Sequence, residues 1–176
     1  MAQPDPLRAL SRQPVSLTVA GHPLTIPWHP AADWIEVIRQ DPGRLVPELA
    51  EDSGDLVIAM AMGEVSWEAV QAASQQLLGD ETGDKWWTVL KLVYSSAQGG
   101  VLGELTLSGV DPARVSLGQW CAAVYRVLTR NAEDKDRLRI DFELELPPPG
   151  YEDAWDDGND YEAMVALARE YGQTDV

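Results

Sequence analysis

Hydrophobic and polar positions along the chain follow two periods. Near the N-terminus Val15, Leu17 and Val19 alternate with polar or small residues, Gly21 and His22 interrupt, and Leu24 and Ile26 resume the alternation. Successive side chains of a strand point to opposite faces, so this pattern predicts a β-hairpin over residues 15–26. Pro27, Trp28, His29 and Pro30 end the extended stretch. The period then changes. Trp34, Ile35 and Ile38 share one face of a helix expected over residues 31–40, with Asp33 and Glu36 near its start, where the helix dipole favours acids. Asp41-Pro42 and Asp111-Pro112 each set an N-cap residue before a proline at the first helical position, so each predicts a short helical turn, the first limited by Pro47.

Residues 53–62 read as a short apolar helix ended by Gly63. Ser66 caps a longer one in which Trp67, Val70, Leu77 and Leu78 keep helical spacing until Gly79 and the polar Asp-Glu-Thr-Gly after it. The two strongest stripes follow. Residues 84–98 carry Trp86, Trp87, Leu90, Val93, Tyr94 and Ala97, and the next stripe is Leu117, Trp120, Cys121, Val124, Val127 and Leu128. Ser116 and Gln119 form a capping-box pair that opens the second. Between them Gly99, Gly100 and Gly103 predict a flexible turn before a short segment at residues 102–107. In residues 138–146, Leu138, Ile140, Phe142, Leu144 and Leu146 alternate strictly with Arg139, Asp141, Glu143 and Glu145. A helix would put these apolar residues on two opposed sides, so the pattern favours a strand, suited to pairing with the hairpin, over a helix continuing from Glu133. Tyr161, Met164, Val165, Leu167 and Ala168 predict a short amphipathic helix, marginal on its own. The expected fold is mainly α with a small N-terminal β-hairpin (α+β): a flexible arm at residues 1–14, a compact helical body at 15–146, and an acidic tail at 147–176 opened by Pro147, Pro148 and Pro149.

Composition sharpens this division. Of the 176 residues 45% are hydrophobic and seven are Trp, which is globular rather than disordered. The net charge is −16, but residues 1–140 account for only −6 of it and residues 141–176 for −10. So large an acidic excess argues against a nucleic-acid-binding surface, since it would repel phosphates. The longest apolar run, residues 56–62, is seven long, where a membrane span needs about twenty. With no run of signal-peptide length either, a cytosolic, soluble protein is expected.

Candidate chemistry is sparse. The chain has no Gly-x-Ser-x-Gly elbow, phosphate-binding glycine loop, dinucleotide fingerprint or His-Glu-x-x-His helix. Cys121 has no partner for a disulfide and lies within an apolar stripe, so it reads as a small buried hydrophobe. His22 and His29, the two histidines, flank the second hairpin strand on opposite faces and read as turn residues. The acidic cluster Glu152, Asp153, Asp156, Asp157 and Asp160 around Gly158 fails as a calcium loop. With Gly158 at the sixth position, Trp155 occupies the third and Met164 the twelfth. No catalytic residue, metal ligand or cofactor is therefore expected. What remains is aromatic and apolar surface. Trp28, Trp34, Trp67, Trp86, Trp87 and Trp120 sit on or beside predicted core faces. Trp86 and Trp87 are about 100° apart on a helix, so one can face the core while the other reaches the rim. Trp155 lies among carboxylates near Tyr151 and Tyr161, either as a dock onto the body or as a partner anchor. The candidate partner-binding residues are Trp86, Trp87, Tyr151, Trp155, Tyr161, Met164 and Leu167.

Taken together, the hairpin stretch SLTVAGHPLTIPWHPAADWIEVI, the GDKWW opening of the central helix and the stretch GVDPARVSLGQWCAAVYRVLTRNAEDKDRLRIDFELELPPPG resemble the tail assembly chaperones of long-tailed bacteriophages, in the form found in actinobacterial phages and prophages. The resemblance covers about three quarters of the chain, within residues 15–150. It implies a non-enzymatic protein of the host cytoplasm, absent from the mature virion. Such a protein associates with the tape-measure protein, and with the tail tube protein as the tube polymerises. It also implies a second product made by programmed ribosomal frameshift, for which the three proline codons, each beginning CC, are a candidate slippage site. The rival reading, from another class, is an acidic DNA mimic that inhibits a basic host protein. A metal-dependent hydrolase finds no support in ligand spacing.

Overall fold

The computed structural model describes residues 13–151, and the hairpin is its first element. Strands β1 (Val15–Val19) and β2 (His22–Ile26) pair antiparallel with Val15 opposite Ile26 and Val19 opposite His22. The turn is Ala20-Gly21, one residue earlier than the apolar alternation suggested. Both have positive φ (47° and 90°), the two-residue primed geometry that matches strand twist. Val19, Leu24 and Ile26 are buried, and β1 rests against helix α4 (Trp67–Thr82).

Helix α1 (Ala31–Gln40) buries Ala31, Trp34, Ile35 and Ile38. Pro30 at its N-cap offers no capping side chain, so the amides of Ala31 and Ala32 donate instead to the carbonyls of Val115 and Pro112. This is the role of the Asp111-Pro112 segment. It makes a turn closed on the Asp111 side chain and carbonyl, not a helix, and its carbonyls cap a helix elsewhere in the chain. Asp41-Pro42 behaves as expected, opening a 3-10 turn (Pro42–Arg44) that runs into α2 (Leu45–Leu49). The buried Ser74 hydroxyl fastens that turn to α4, donating to the Gly43 carbonyl at 2.9 Å and accepting from the Val46 amide at 3.3 Å.

Helix α3 (Gly54–Ala61) ends at Gly63 as expected. Left-handed Gly63 lets its own amide reach the Met60 carbonyl and the Glu64 amide reach the Ala59 carbonyl, which is a Schellman ending. Helix α4 is capped by Ser66 but runs through Gly79 to left-handed Gly83, because burial of Leu77, Leu78 and Thr82 outweighs one glycine's propensity cost of about 1 kcal/mol. Helices α5 (Trp86–Ser96) and α7 (Leu117–Thr129) form where the two strong stripes lie, but only α7 buries its stripe as expected. Helix α5 buries Trp87 and Val93 together with Val89, Leu92 and Ser96, and leaves Tyr94 and Ala97 exposed. The Ser116–Gln119 capping box is formed in both directions. The two helices pack on each other at the centre, and each also meets α1, α4, α6 and α8. Trp34 and Trp120 bury their indole N–H groups without a protein acceptor among the described residues, so both rings contribute area rather than a hydrogen bond.

Two further expectations are corrected. The glycines at 99, 100 and 103 belong to a helix, α6 (Gly99–Leu107), which buries Val101 and Leu105 one turn apart against α5 and α7 and stops at Gly109. Residues 138–146 are not a strand but the greater part of helix α8 (Asp134–Glu145). The alternation survives as two helix sides. Leu144 is buried and Ile140 half-buried toward α5 and α7, whereas Leu138 on the opposite side is exposed. Residues 1–12 of the expected arm and residues 152–176 of the tail, with Trp155, Tyr161, Met164 and Leu167, lie outside the described residues.

Ser116→Ala removes one half of the capping box and is expected to cost about 1 kcal/mol in urea unfolding. In the same assay Leu144→Ala is expected to cost about 2–3 kcal/mol, and Leu138→Glu less than about 0.5 kcal/mol. Equal losses at 138 and 144 would contradict the helical placement.

Candidate partner-binding surface

Helix α5 places the central aromatic pair. Trp87 points inward, buried, and donates from Nε1 to the Glu145 carbonyl at 3.0 Å, with the Lys85 ammonium 5.5 Å from its ring centroid. Trp86 faces the rim. Its ring meets Trp87 edge-on at 5.6 Å and Tyr151 at 5.1 Å. Tyr151 is held by Pro148, Pro149 and Gly150, with the Tyr151 amide donating to the Pro148 carbonyl and Gly150 at φ 89°, the sequence signature of a type II turn. Its hydroxyl accepts from Gln75 Nε2 at 3.2 Å. Of the seven candidate residues the structure thus brings three together, Trp86, Trp87 and Tyr151, and of these Trp87 is committed to the interior.

The same helix anchors α8. Thr88 donates to the Leu144 carbonyl at 2.9 Å, and Lys91 Nζ donates to the carbonyls of Glu143 and Leu146 at 2.6 and 2.5 Å. Together with Trp87, these side chains fill the four carbonyls that a helix end leaves without intrahelical partners, and the Lys91 charge sits at the negative end of the dipole. Desolvation holds the Lys91 ammonium below the usual lysine range, partly offset by Glu143.

Several ionisable groups are shifted, each for an identifiable reason. Burial raises Glu81, with His29 acting in the opposite sense, and burial followed by the Glu145 charge raises Asp84. Burial pushes the Cys121 thiol up to about 12, which keeps it protonated and unreactive as its stripe position suggested. The Tyr125 hydroxyl is pushed up to about 12 by the 2.6 Å hydrogen bond it donates to Asp141, with burial adding to the effect.

His22 sits in β2 opposite Val19, while His29 is pinned before α1. Its Nδ1 is 3.1 Å from Asp33 Oδ2 and its Nε2 is 3.0 Å from the Leu49 carbonyl. It borders a shallow cleft of about 250 Å³ with Glu36, Asp41, Arg44 and Glu48. With both nitrogens turned to acceptors, His29 ties α1 to the end of α2. No group of three or more His, Cys, Asp or Glu side chains suited to a metal occurs among the described residues. No helix among them is long and apolar enough to cross a membrane.

Large apolar exposure falls on two elements to which the sequence assigns no functional role, the short apolar helix expected at residues 53–62 and the short segment at residues 102–107. Ile58 and Met62 are 59% and 68% exposed on and just after α3, and Leu107 is 83% exposed at the end of α6. The signal was present in the composition of these helices. Both are short and apolar on nearly every side, so a single contact face cannot cover them. Trp67 is also partly exposed, its ring lying where a Cβ on residue 43 would meet it at 2.8 Å. Comparison of the chain with protein-family models, curated proteins and solved structures finds no match.

Because the folded-state value for Tyr125 lies above its ordinary value of about 10, its contribution to stability is present below about pH 10 and is lost as pH rises toward about 12. The stability difference between wild type and Tyr125→Phe should therefore shrink through that window in urea titrations at successive pH values. A difference independent of pH would contradict the Tyr125–Asp141 coupling.

Proposed function

We propose that the protein is a non-enzymatic assembly chaperone of long-tailed phages, holding the tape-measure protein soluble in the host cytoplasm while the tail tube polymerises around it. The reading is carried by the exposed apolar helix faces of α3 and α6 on a molecule whose net charge is −16. Contiguous apolar surface on a soluble domain marks a place where another surface is covered. A tape-measure protein is a long, largely helical chain whose apolar stripes need cover until the tube encloses them, and helix against helix is a recurring way to supply it.

The charge serves the same role. Coated client chains carrying many copies of an acidic protein repel one another and stay dispersed. Release then asks for contacts that are individually weak and collectively sufficient, so that tube subunits displace them in turn. The sequence resemblance supports the same assignment.

Co-expression with the tape-measure protein encoded in the same gene cluster tests the reading. The expected outcome is a soluble client that co-purifies with this protein and aggregates without it. An unchanged client solubility together with no co-purification would overturn the assignment.

A further inference from the structure

The outer side of α3 combines two features that together specify an occupant. Val57, Ile58, Ala61 and Met62 are all exposed, and offsets of 0, 1, 4 and 5 place them on one face of the helix and its C-cap. Only Leu56 and Ala59 of this helix are buried, on the side that meets α2. The second feature is charge. Between residues 51 and 68 the chain has five acids, Glu51, Asp52, Asp55, Glu64 and Glu68, and no Lys, Arg or His. All five are exposed, and none forms an ion pair among the described residues.

We propose that this face receives an amphipathic helix of a partner whose apolar stripe is bordered by Lys or Arg. The proposal rests on the client-holding reading above and names the chemistry of the client segment. Charge argues against two other occupants. A second copy would set the same five carboxylates against themselves. The chain's own residues 152–176 carry eight acids and one Arg, which is again the wrong sign. A helix with cationic flanks places its charges over the acidic border while its stripe covers Ile58 and Met62. The flexible Met62 side chain accommodates stripes of different shape, as suits one surface that must accept many client segments. Border charges act mainly on selectivity and association rate, so salt should weaken binding without abolishing it.

The test uses the full-length protein and two synthetic helical peptides about 18 residues long with the same leucine stripe, one flanked by Lys and one by Glu, read by fluorescence anisotropy. The Lys-flanked peptide is expected to bind at least about tenfold more tightly than its Glu-flanked counterpart. The double variant Ile58→Asp, Met62→Asp should lose about tenfold or more of that binding. Asp55→Lys with Glu64→Lys should reverse the preference between peptides. Leu138→Glu, on the exposed side of α8, should leave both affinities unchanged, and far-UV circular dichroism establishes that each variant keeps its helices. Equal binding of the two peptides by the wild type, or undiminished binding by the α3 double variant, would overturn the proposal. Tape-measure co-purification separates the two levels. A client retained equally by wild type and the α3 double variant removes the α3 assignment and leaves the chaperone reading. A wild type that binds the Lys-flanked peptide but retains no tape-measure protein removes the chaperone reading and leaves the surface.

Discussion

Helix α5 supplies the end-group chemistry on which its neighbours depend. Trp87, Thr88 and Lys91, at successive offsets on one side of it, fill the last carbonyls of α8, and Tyr94 donates to the Ile38 carbonyl near the end of α1 at 3.2 Å. A buried carbonyl without a donor costs about 1–3 kcal/mol, so one central helix that satisfies two helix ends determines where both can lie. The apolar side of α5, with Val89, Leu92 and Val93, packs against α7 and closes the core around the same axis. The position of Tyr151 follows from this anchor: α8 ends against α5, the prolines turn the chain, and the tyrosine ring arrives on Trp86.

The parts of the fold legible in the sequence were those whose periodicity and end signals agree. The hairpin, α1, the Ser66 and Ser116 caps and the stripe of α7 each carry a local cause that tertiary contacts reinforce. Residues 138–146 show the opposite case. Their alternation fits a strand, but the hairpin's two strands form the whole sheet among the described residues, whereas α5 supplies donors for a helix end. Those donors lie more than fifty positions away in sequence, out of reach of any local pattern. The three glycines of α6 misled in the same way, because helix formation there depends on burying Val101 and Leu105 against elements distant in the chain.

At the candidate surface, aromatic residues drew attention that apolar helices deserved more. Trp86 and Tyr151 do meet at the rim, but Trp87 spends its N–H on a carbonyl inside. The exposed valine, isoleucine and methionine of α3 stood in the sequence as part of a short apolar helix, and a short apolar helix that is exposed has the same composition as a buried one. Only the number of neighbouring elements separates them. In an acidic molecule such windows of apolar surface have a physical logic under the proposed role: charge would keep the protein dispersed while the uncovered faces take up a helical client.

The most direct measurement is hydrogen–deuterium exchange on the co-purified complex with the tape-measure protein, compared with the protein alone. Coverage of the apolar windows predicts slower exchange in residues 54–62, with the amides of α5 and α7 unchanged. A complex that forms with no added protection in either α3 or α6 would contradict the account.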